Sequence, residues 1–136
     1  MLSADQRREL LRSAKVIAVV GLSSNPERPS NQVAWYLHHQ GYELYGVNPR
    51  IAGEEVSGIP VVGSLDEVPK PIDVVDVFRR PEYTPEVAKA AVAVGARALW
   101  LQLGIRNPES GRIATAGGLS YVEDHCAKVE HMRLLG

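Results

Sequence analysis

Four arginines lie just beyond β-rich segments of this sequence, and their side chains are well suited to binding an anion. They are Arg28, Arg50, Arg79 and Arg80. The preceding segments are Val16–Val20, Tyr42–Val47 and Ile72–Phe78. A guanidinium group offers a planar fork of N–H donors that matches a phosphate group. Because the whole chain carries a formal net charge of −1, this concentration of cations predicts a polyanionic ligand.

The loop after Val16–Val20 has the composition of a phosphate-binding loop. Gly21 permits a sharp turn, and Ser23, Ser24 and Asn25 tolerate unusual backbone dihedral angles, so main-chain N–H groups can face a pyrophosphate. The loop contains neither G-x-G-x-x-G nor G-x-x-x-x-G-K-[ST], two standard glycine patterns of nucleotide sites. An ordinary strand-to-helix loop, stabilised by serine and asparagine, is the alternative interpretation.

The end of the second segment bears on the class of nucleotide. A NAD site typically has an acidic residue there, which binds the ribose hydroxyls. This sequence has Asn48-Pro49-Arg50 instead, and no acidic residue occurs before Glu54. A basic residue suits an additional phosphate on the ribose, as in NADP or coenzyme A (CoA). A solvated loop arginine is the alternative.

A further loop follows the apolar segment Ala98–Leu101. It places the amide of Gln102 and then Gly104 just beyond a buried strand. A glycine at that point lets the backbone approach a ligand closely. The alternative is a turn that leads into the helix predicted to begin near Asn107.

No set of residues has the spacing of a catalytic or metal site. His38 and His39 are adjacent on a predicted helix and cannot face one ligand. Asp73 and Asp76 stand three apart in a predicted strand, so they point to opposite faces. Cys126 begins the last predicted helix and is either a reactive thiol or a small buried apolar residue. The sequence therefore predicts binding without catalysis of its own and without a metal.

Length and composition predict one soluble domain spanning residues 1–136. The chain is 45% hydrophobic and 23% charged, which is ordinary for a globular protein. Its single cysteine excludes an internal disulfide framework and is typical of a cytoplasmic protein. No apolar run approaches the roughly 20 residues that span a bilayer. We expect neither a nucleic-acid nor a membrane partner.

Predicted strands and helices alternate along the chain. The strands are Val16–Val20, Tyr42–Val47, Ile72–Phe78, Ala98–Leu101 and Leu119–Val122, with a short extra strand near Val56. Ser30 and Asp124 are the predicted N-caps of the second and last helices. This pattern predicts a three-layer α/β/α, Rossmann-like, doubly wound sheet of about five parallel strands. Ligands of such sheets bind beyond the carboxyl ends of the strands, where the four arginines fall.

These segments resemble the short CoA-binding-domain proteins, the YccU-like family of small Rossmann-like proteins. The motifs that carry the resemblance are Val19–Pro26 with Arg28–Ser30, Val47–Arg50, Asp73–Arg80 and Trp100–Ile105. The likeness covers nearly the whole chain and implies a fold similar to the nucleotide-binding domain of the succinyl-CoA synthetase α subunit. The synthetase's phosphorylated histidine lies in a second domain with no counterpart in this sequence. The resemblance therefore implies binding and not ligase chemistry.

The resemblance also assigns roles around the predicted cleft. It implies that the Gly21–Ser30 loop holds phosphates, that Arg50 lies near the ribose phosphate or adenine, and that Phe78 lines the cleft. The full set of candidate ligand-binding residues is Gly21, Ser23, Ser24, Asn25, Arg28, Ser30, Asn48, Pro49, Arg50, Phe78, Arg79, Gln102, Gly104 and Ile105.

The sequence is consistent with three functions. The leading hypothesis is a protein that binds CoA or an acyl-CoA through its phosphates. The first alternative is a small NADP-dependent oxidoreductase or other nucleotide-using enzyme. The second is a regulatory or scaffold protein whose nucleotide cleft is vestigial.

Overall fold

The computed structural model describes residues 1–136 as a mostly parallel sheet between two layers of helices. The strands are β1 (Val16–Val20), β2 (Glu43–Val47), β3 (Glu55–Val56), β4 (Ile59–Val62), β5 (Val74–Val77), β6 (Ala98–Leu101) and β7 (Ser120–Val122). The helices are α1 (Ala4–Ser13), α2 (Pro29–His39), α3 (Thr84–Ala93), α4 (Pro108–Ala116) and α5 (Ala127–Leu134). None of the helices has the length and apolar character needed to cross a bilayer.

The order of the strands defines where the chain reverses direction across the sheet. The order is β3-β4-β2-β1-β5-β6-β7. The chain builds outward from β1 to β2 and then to β3 and β4 at the edge, and it returns to place β5 on the other side of β1. The reversal therefore lies between β1 and β5, the position at which open α/β sheets bind ligands. This topology confirms the predicted Rossmann-like, doubly wound fold.

Two apolar cores hold the layers together. On one face of the sheet, α1, α2 and α5 cover a cluster of 18 buried residues that includes Leu37 and Trp100. On the other face, α3 and α4 cover a cluster of 15 buried residues that includes Val77 and Leu101. Because the central strands are buried on both faces, they form the near-continuous apolar runs that the sequence shows.

The sheet is wider than the sequence predicts. The five expected parallel strands are present, and β3 is the short strand expected near Val56. An additional strand, β4, pairs in parallel with β2 and antiparallel with β3. Its segment reads as a loop because it follows Gly58 and contains Pro60, which has no N–H to donate to a neighbouring strand.

The two predicted N-caps are wrong. Helix α2 begins at Pro29, one residue earlier than Ser30, whose hydroxyl instead accepts a hydrogen bond from the Ser23 N–H. Helix α5 begins after Cys126. Asp124 has a positive φ of 58° and accepts from the Gly104 N–H. Both polar side chains bind a loop close in space and leave the helix start uncapped.

Gly21 is a sterically required turn at the end of β1. Its φ is +87°, and a Cβ atom there would overlap the carbonyl group of Phe78. Its N–H donates to Val47 O at 2.9 Å, while the Phe78 N–H donates to Val20 O at 2.9 Å. The end of β1 is therefore joined to β2 on one side and to β5 on the other.

We expect Gly21→Ala to destabilise the protein more than Gly41→Ala does. Gly41 has a similar φ of +97°, but no atom lies within 4 Å of the position that a Cβ would occupy. Both substitutions incur the cost of a left-handed Cβ, about 1–2 kcal/mol. The overlap with Phe78 should lower the free energy of unfolding of Gly21→Ala by about 1–3 kcal/mol more. Urea unfolding measures the difference, and equal losses would contradict the steric argument.

Candidate ligand-binding cleft

A cleft opens at the carboxyl edge of the sheet, over the junction of β1 and β5. It has two lobes, and Gly21, Arg28, Phe78 and Arg79 line both. The first, which we call the Gln102 lobe, has a volume of about 610 Å³. It is lined by Gly21, Ser23, Arg28, Pro29, Ser30, Gln32, Val33, Phe78, Arg79, Gln102, Leu103, Ile105, Cys126 and Lys128.

The second lobe is dominated by cationic side chains, and we call it the arginine lobe. Its volume is about 660 Å³. It is lined by Gly21, Arg28, Val47, Asn48, Pro49, Arg50, Phe78, Arg79, Arg80 and Tyr83. The loops after β1, β2 and β5 supply these residues, so the fold brings together the four arginines that the sequence distributes over more than fifty positions.

The cations of the cleft have no anionic partner in the protein. Neither lobe is lined by an aspartate or a glutamate. All four arginines of the cleft are exposed, and none forms an ion pair. Arginines that do form ion pairs lie elsewhere: Arg7, Arg12, Arg97, Arg106 and Arg133. Uncompensated positive charge focused in a cleft attracts anions.

Arg79 is further oriented by an aromatic ring. Its guanidinium carbon lies 5.4 Å from the centroid of the Tyr83 ring, within the range of a cation–π contact. Its Cδ atom lies 3.4 Å from the position that a Cβ at Gly21 would occupy. The side chain is therefore held where the two lobes meet.

The loop after β1 is organised by hydrogen bonds within itself and to α2. The Ser23 N–H donates to Ser30 Oγ at 3.0 Å, and Asn31 Nδ2 donates to Ser23 O at 2.9 Å. The Asn25 N–H donates to Ser23 Oγ. The N–H groups of Ser24 and Ser30 donate to no protein group. Ser30 lies in the first turn of α2, where the helix dipole favours an anion.

Asn48 connects two loops of the arginine lobe. Its Nδ2 donates to Leu22 O at 3.0 Å, and its Oδ1 accepts from the Arg50 N–H at 3.0 Å. Both ends of the side-chain amide are thereby occupied inside the protein. Asn48 consequently fixes the positions of the β1 loop and of Arg50.

Gln102 has a similar positioning role in the other lobe. The side chain is 4% exposed, and its Oε1 accepts from the Ala127 N–H at 3.0 Å. Nearby, Trp100 Nε1 donates to His125 O at 2.8 Å. These bonds attach the start of α5 to the end of β6 and place Cys126 in the lining of the lobe.

Not every predicted residue lies in the cleft. Ser24, Asn25 and Gly104 are exposed and do not line either lobe, whereas the other predicted residues do. Asn25 Oδ1 accepts from the Glu27 N–H within its own turn. The Gly104 N–H donates to Asp124 Oδ1 at 2.7 Å, and this bond, followed by the Arg106 guanidinium, lowers the pKa of Asp124. Their contacts with a ligand remain predictions.

The structure adds lining residues that sequence analysis did not select. They are Pro29, Gln32, Val33, Leu103, Cys126 and Lys128 in the Gln102 lobe, and Val47, Arg80 and Tyr83 in the arginine lobe. Arg80 is one of the four arginines beyond the predicted strands but is not in the set of candidate ligand-binding residues. Cys126 and Lys128 follow the last strand, β7. Ligands of such sheets lie beyond the carboxyl ends of the strands, so the position of both residues after β7 is the sequence signal that indicates them.

Asp76 is a buried carboxyl group with no partner, directly beneath the cleft. It is fully buried, and neither of its oxygens forms a hydrogen bond. Burial therefore raises its pKa well above the ordinary value. Asp73 differs in the direction of its pKa shift. Burial raises the pKa, but hydrogen bonds from the N–H groups of Val16 and Lys15, together with the charge of Arg97, lower it by more. The pKa of Asp73 is therefore below its ordinary value.

Comparison with known proteins agrees with this geometry. The family described as "CoA binding domain" matches residues 15–132, and the chain belongs to that family. The uncharacterized protein YneT of Bacillus subtilis (strain 168) is 41% identical over 124 residues, which are 91% of this chain and 90% of YneT.

Two solved structures share the fold along almost the entire chain. The protein cell-free ID.343 from Thermus thermophilus is 40% identical with a TM-score of 0.94, covering 98% of this chain and 100% of that one. A hypothetical protein from Pyrococcus horikoshii OT3 is 41% identical with a TM-score of 0.94, covering 99% and 94% respectively. Family membership supports a CoA-binding role in general terms.

We expect Asp76→Asn to change how stability depends on pH. The folded pKa of Asp76 is raised, so its ionisation does not reduce stability below the unfolded pKa, near 4, and wild-type stability is lost as pH rises from there toward the folded pKa. The stability of Asp76→Asn relative to wild type should rise with pH by up to about 1.4 kcal/mol per pH unit from about pH 4. Urea unfolding at several pH values measures this slope.

Asp73→Asn is the matched control for this experiment. Because the folded pKa of Asp73 is lowered, its contribution is present above the unfolded pKa and is lost as pH falls through the folded value. The stability of Asp73→Asn relative to wild type should therefore fall as pH rises, which is the opposite slope to that expected for Asp76→Asn. If the stability of Asp76→Asn relative to wild type did not change with pH, the raised pKa of the buried carboxyl group would be contradicted.

Proposed function

We propose that this protein binds coenzyme A or an acyl-CoA in the cleft over β1 and β5 and has no catalysis of its own. The observation that carries the proposal is the set of five cationic side chains without a carboxylate among the lining residues: Arg28, Arg50, Arg79, Arg80 and Lys128. CoA has the matching chemistry, because it carries a diphosphate and a separate ribose phosphate.

The two lobes suit the two halves of the ligand. The arginine lobe, rich in charge, fits the phosphorylated adenosine. The Gln102 lobe has fewer arginines and includes apolar groups from Val33, Phe78 and Ile105, so it fits the pantetheine arm. The diphosphate then lies where the lobes meet, close to Arg28, Arg79 and the uncapped start of α2.

The direct test is titration calorimetry of the purified protein with CoA, dephospho-CoA and NADPH. We expect CoA to bind and to raise the thermal midpoint of unfolding, since a ligand at 100 times its Kd adds roughly 2.7 kcal/mol. Stronger binding of NADPH than of CoA would support the oxidoreductase alternative. Absence of binding by all three nucleotides would support the scaffold alternative.

Arg50→Ala tests the assignment of the arginine lobe. If Arg50 contacts the ribose phosphate, wild type should prefer CoA to dephospho-CoA, and the variant should bind the two ligands about equally. A charge-assisted hydrogen bond is worth about 1.5–3 kcal/mol, so the preference lost is roughly 10- to 100-fold.

Two further variants make this comparison specific. Arg79→Ala should weaken both ligands alike, because both carry the diphosphate. Arg8 is exposed and unpaired on α1 and lines neither lobe of the cleft, so Arg8→Ala should change neither affinity. A CoA preference that survives Arg50→Ala would remove the role proposed for this arginine.

A further inference from the structure

Asp76 occupies a position directly below the lining of the cleft. It pairs in register with Val19 of β1 and Trp100 of β6. Two positions further along β1, β5 and β6 are Gly21, Phe78 and Gln102, respectively, and all three line the Gln102 lobe. Since alternate residues of a strand share a face, the Asp76 carboxyl lies on the same face as Phe78, roughly 7 Å deeper along the strand.

The fold itself makes no use of this carboxyl group. Asp76 is fully buried, and neither oxygen has a hydrogen-bond partner. Burying an unsatisfied polar group is unfavourable, and its neighbours in the core, Val19 and Trp100, are apolar. By contrast, Gln102, another buried polar side chain near the cleft, accepts a hydrogen bond from the Ala127 N–H through its Oε1. The Asp76 carboxyl group is therefore free to bond a group from outside the chain.

The chemistry of the group indicates what that partner is. An un-ionised carboxyl group places one O–H donor beside one carbonyl acceptor, which complements the C=O and N–H of a secondary amide. A phosphate would be a poorer partner, because it is anionic and is attracted to the cationic side chains that line the arginine lobe. The pantetheine arm of CoA contains two secondary amides.

We propose that Asp76 is a specificity-determining residue that hydrogen-bonds an amide of the pantetheine arm when CoA or an acyl-CoA fills the Gln102 lobe. This inference rests on the proposed function and names the residue that recognises the pantetheine arm. Because the carboxyl group has no exposed surface in the free protein, the contact requires a small movement of the lining side chains or one bridging water molecule. Either route makes the affinity for the arm depend on Asp76.

The test compares CoA with adenosine 3′,5′-bisphosphate, which lacks the pantetheine arm. Asp76→Val should weaken CoA binding about 5- to 10-fold, the loss expected for one hydrogen bond, and leave the affinity for the bisphosphate unchanged. The thermal midpoint of the free variant should equal or exceed that of wild type, because an unsatisfied polar group has been removed. Calorimetry with both ligands and a thermal melt of the free protein provide the three readouts.

Asp76→Asn supplies the conservative comparison. Its side-chain amide can donate and accept, so it should retain most of the CoA affinity that Asp76→Val loses. Equal losses for the two variants, an equal loss of both ligands, or an unchanged affinity for CoA would each overturn the inference.

The two ligands separate this inference from the proposed function. If wild type binds neither CoA nor the bisphosphate, the proposed function fails. If wild type prefers CoA to the bisphosphate and Asp76→Val keeps that preference in full, only the role of Asp76 fails.

Discussion

The structure of the cleft depends on the turn at Gly21, where the chain leaves β1 and is hydrogen-bonded to the ends of β2 and β5 on either side. The Gly21 N–H bonds to the end of β2, and the Val20 carbonyl accepts from the first residue after β5. The absence of a Cβ at Gly21 allows the backbone of Phe78 to approach closely. These contacts bring three loops to one point, and with them the four arginines. A bulkier residue at position 21 would separate the loops and disperse the charge.

Positive charge at that point is left uncompensated, and this distinguishes the cleft from the rest of the surface. Most of the arginines elsewhere are paired with carboxylates, as in Arg7 with Glu130 and Arg106 with Asp124. Like charges that face one another destabilise a fold modestly, and a bound polyanion relieves that repulsion. Rigid supports such as the Arg79–Tyr83 contact and the amide bonds of Asn48 reduce the ordering required on binding.

The polar groups beneath and beside the cleft divide into those that support the fold and one that does not. Gln102, Asn48 and Ser30 each bind a backbone group of a neighbouring loop. Asp76 binds none. Buried polar groups without a hydrogen bond destabilise a fold, and proteins keep such groups mainly at functional sites. Asp76 is such a group, and it lies below the Gln102 lobe.

The fold class and most of the cleft follow from the order of residues alone. Apolar runs and glycine stops specify strands and helices locally. In a parallel sheet the carboxyl ends of the strands lie on one edge, so the sequence predicts that Gly21, Arg50 and Phe78 lie close together. Contacts between distant segments decided the rest. The pairing that makes β4 a strand despite Pro60 is one such contact, and the bond from Ala127 that brings Cys126 to the cleft is another. The isolation of Asp76 likewise arises only when β1, β6 and the helices close around it, because burial is a property of the packed layers.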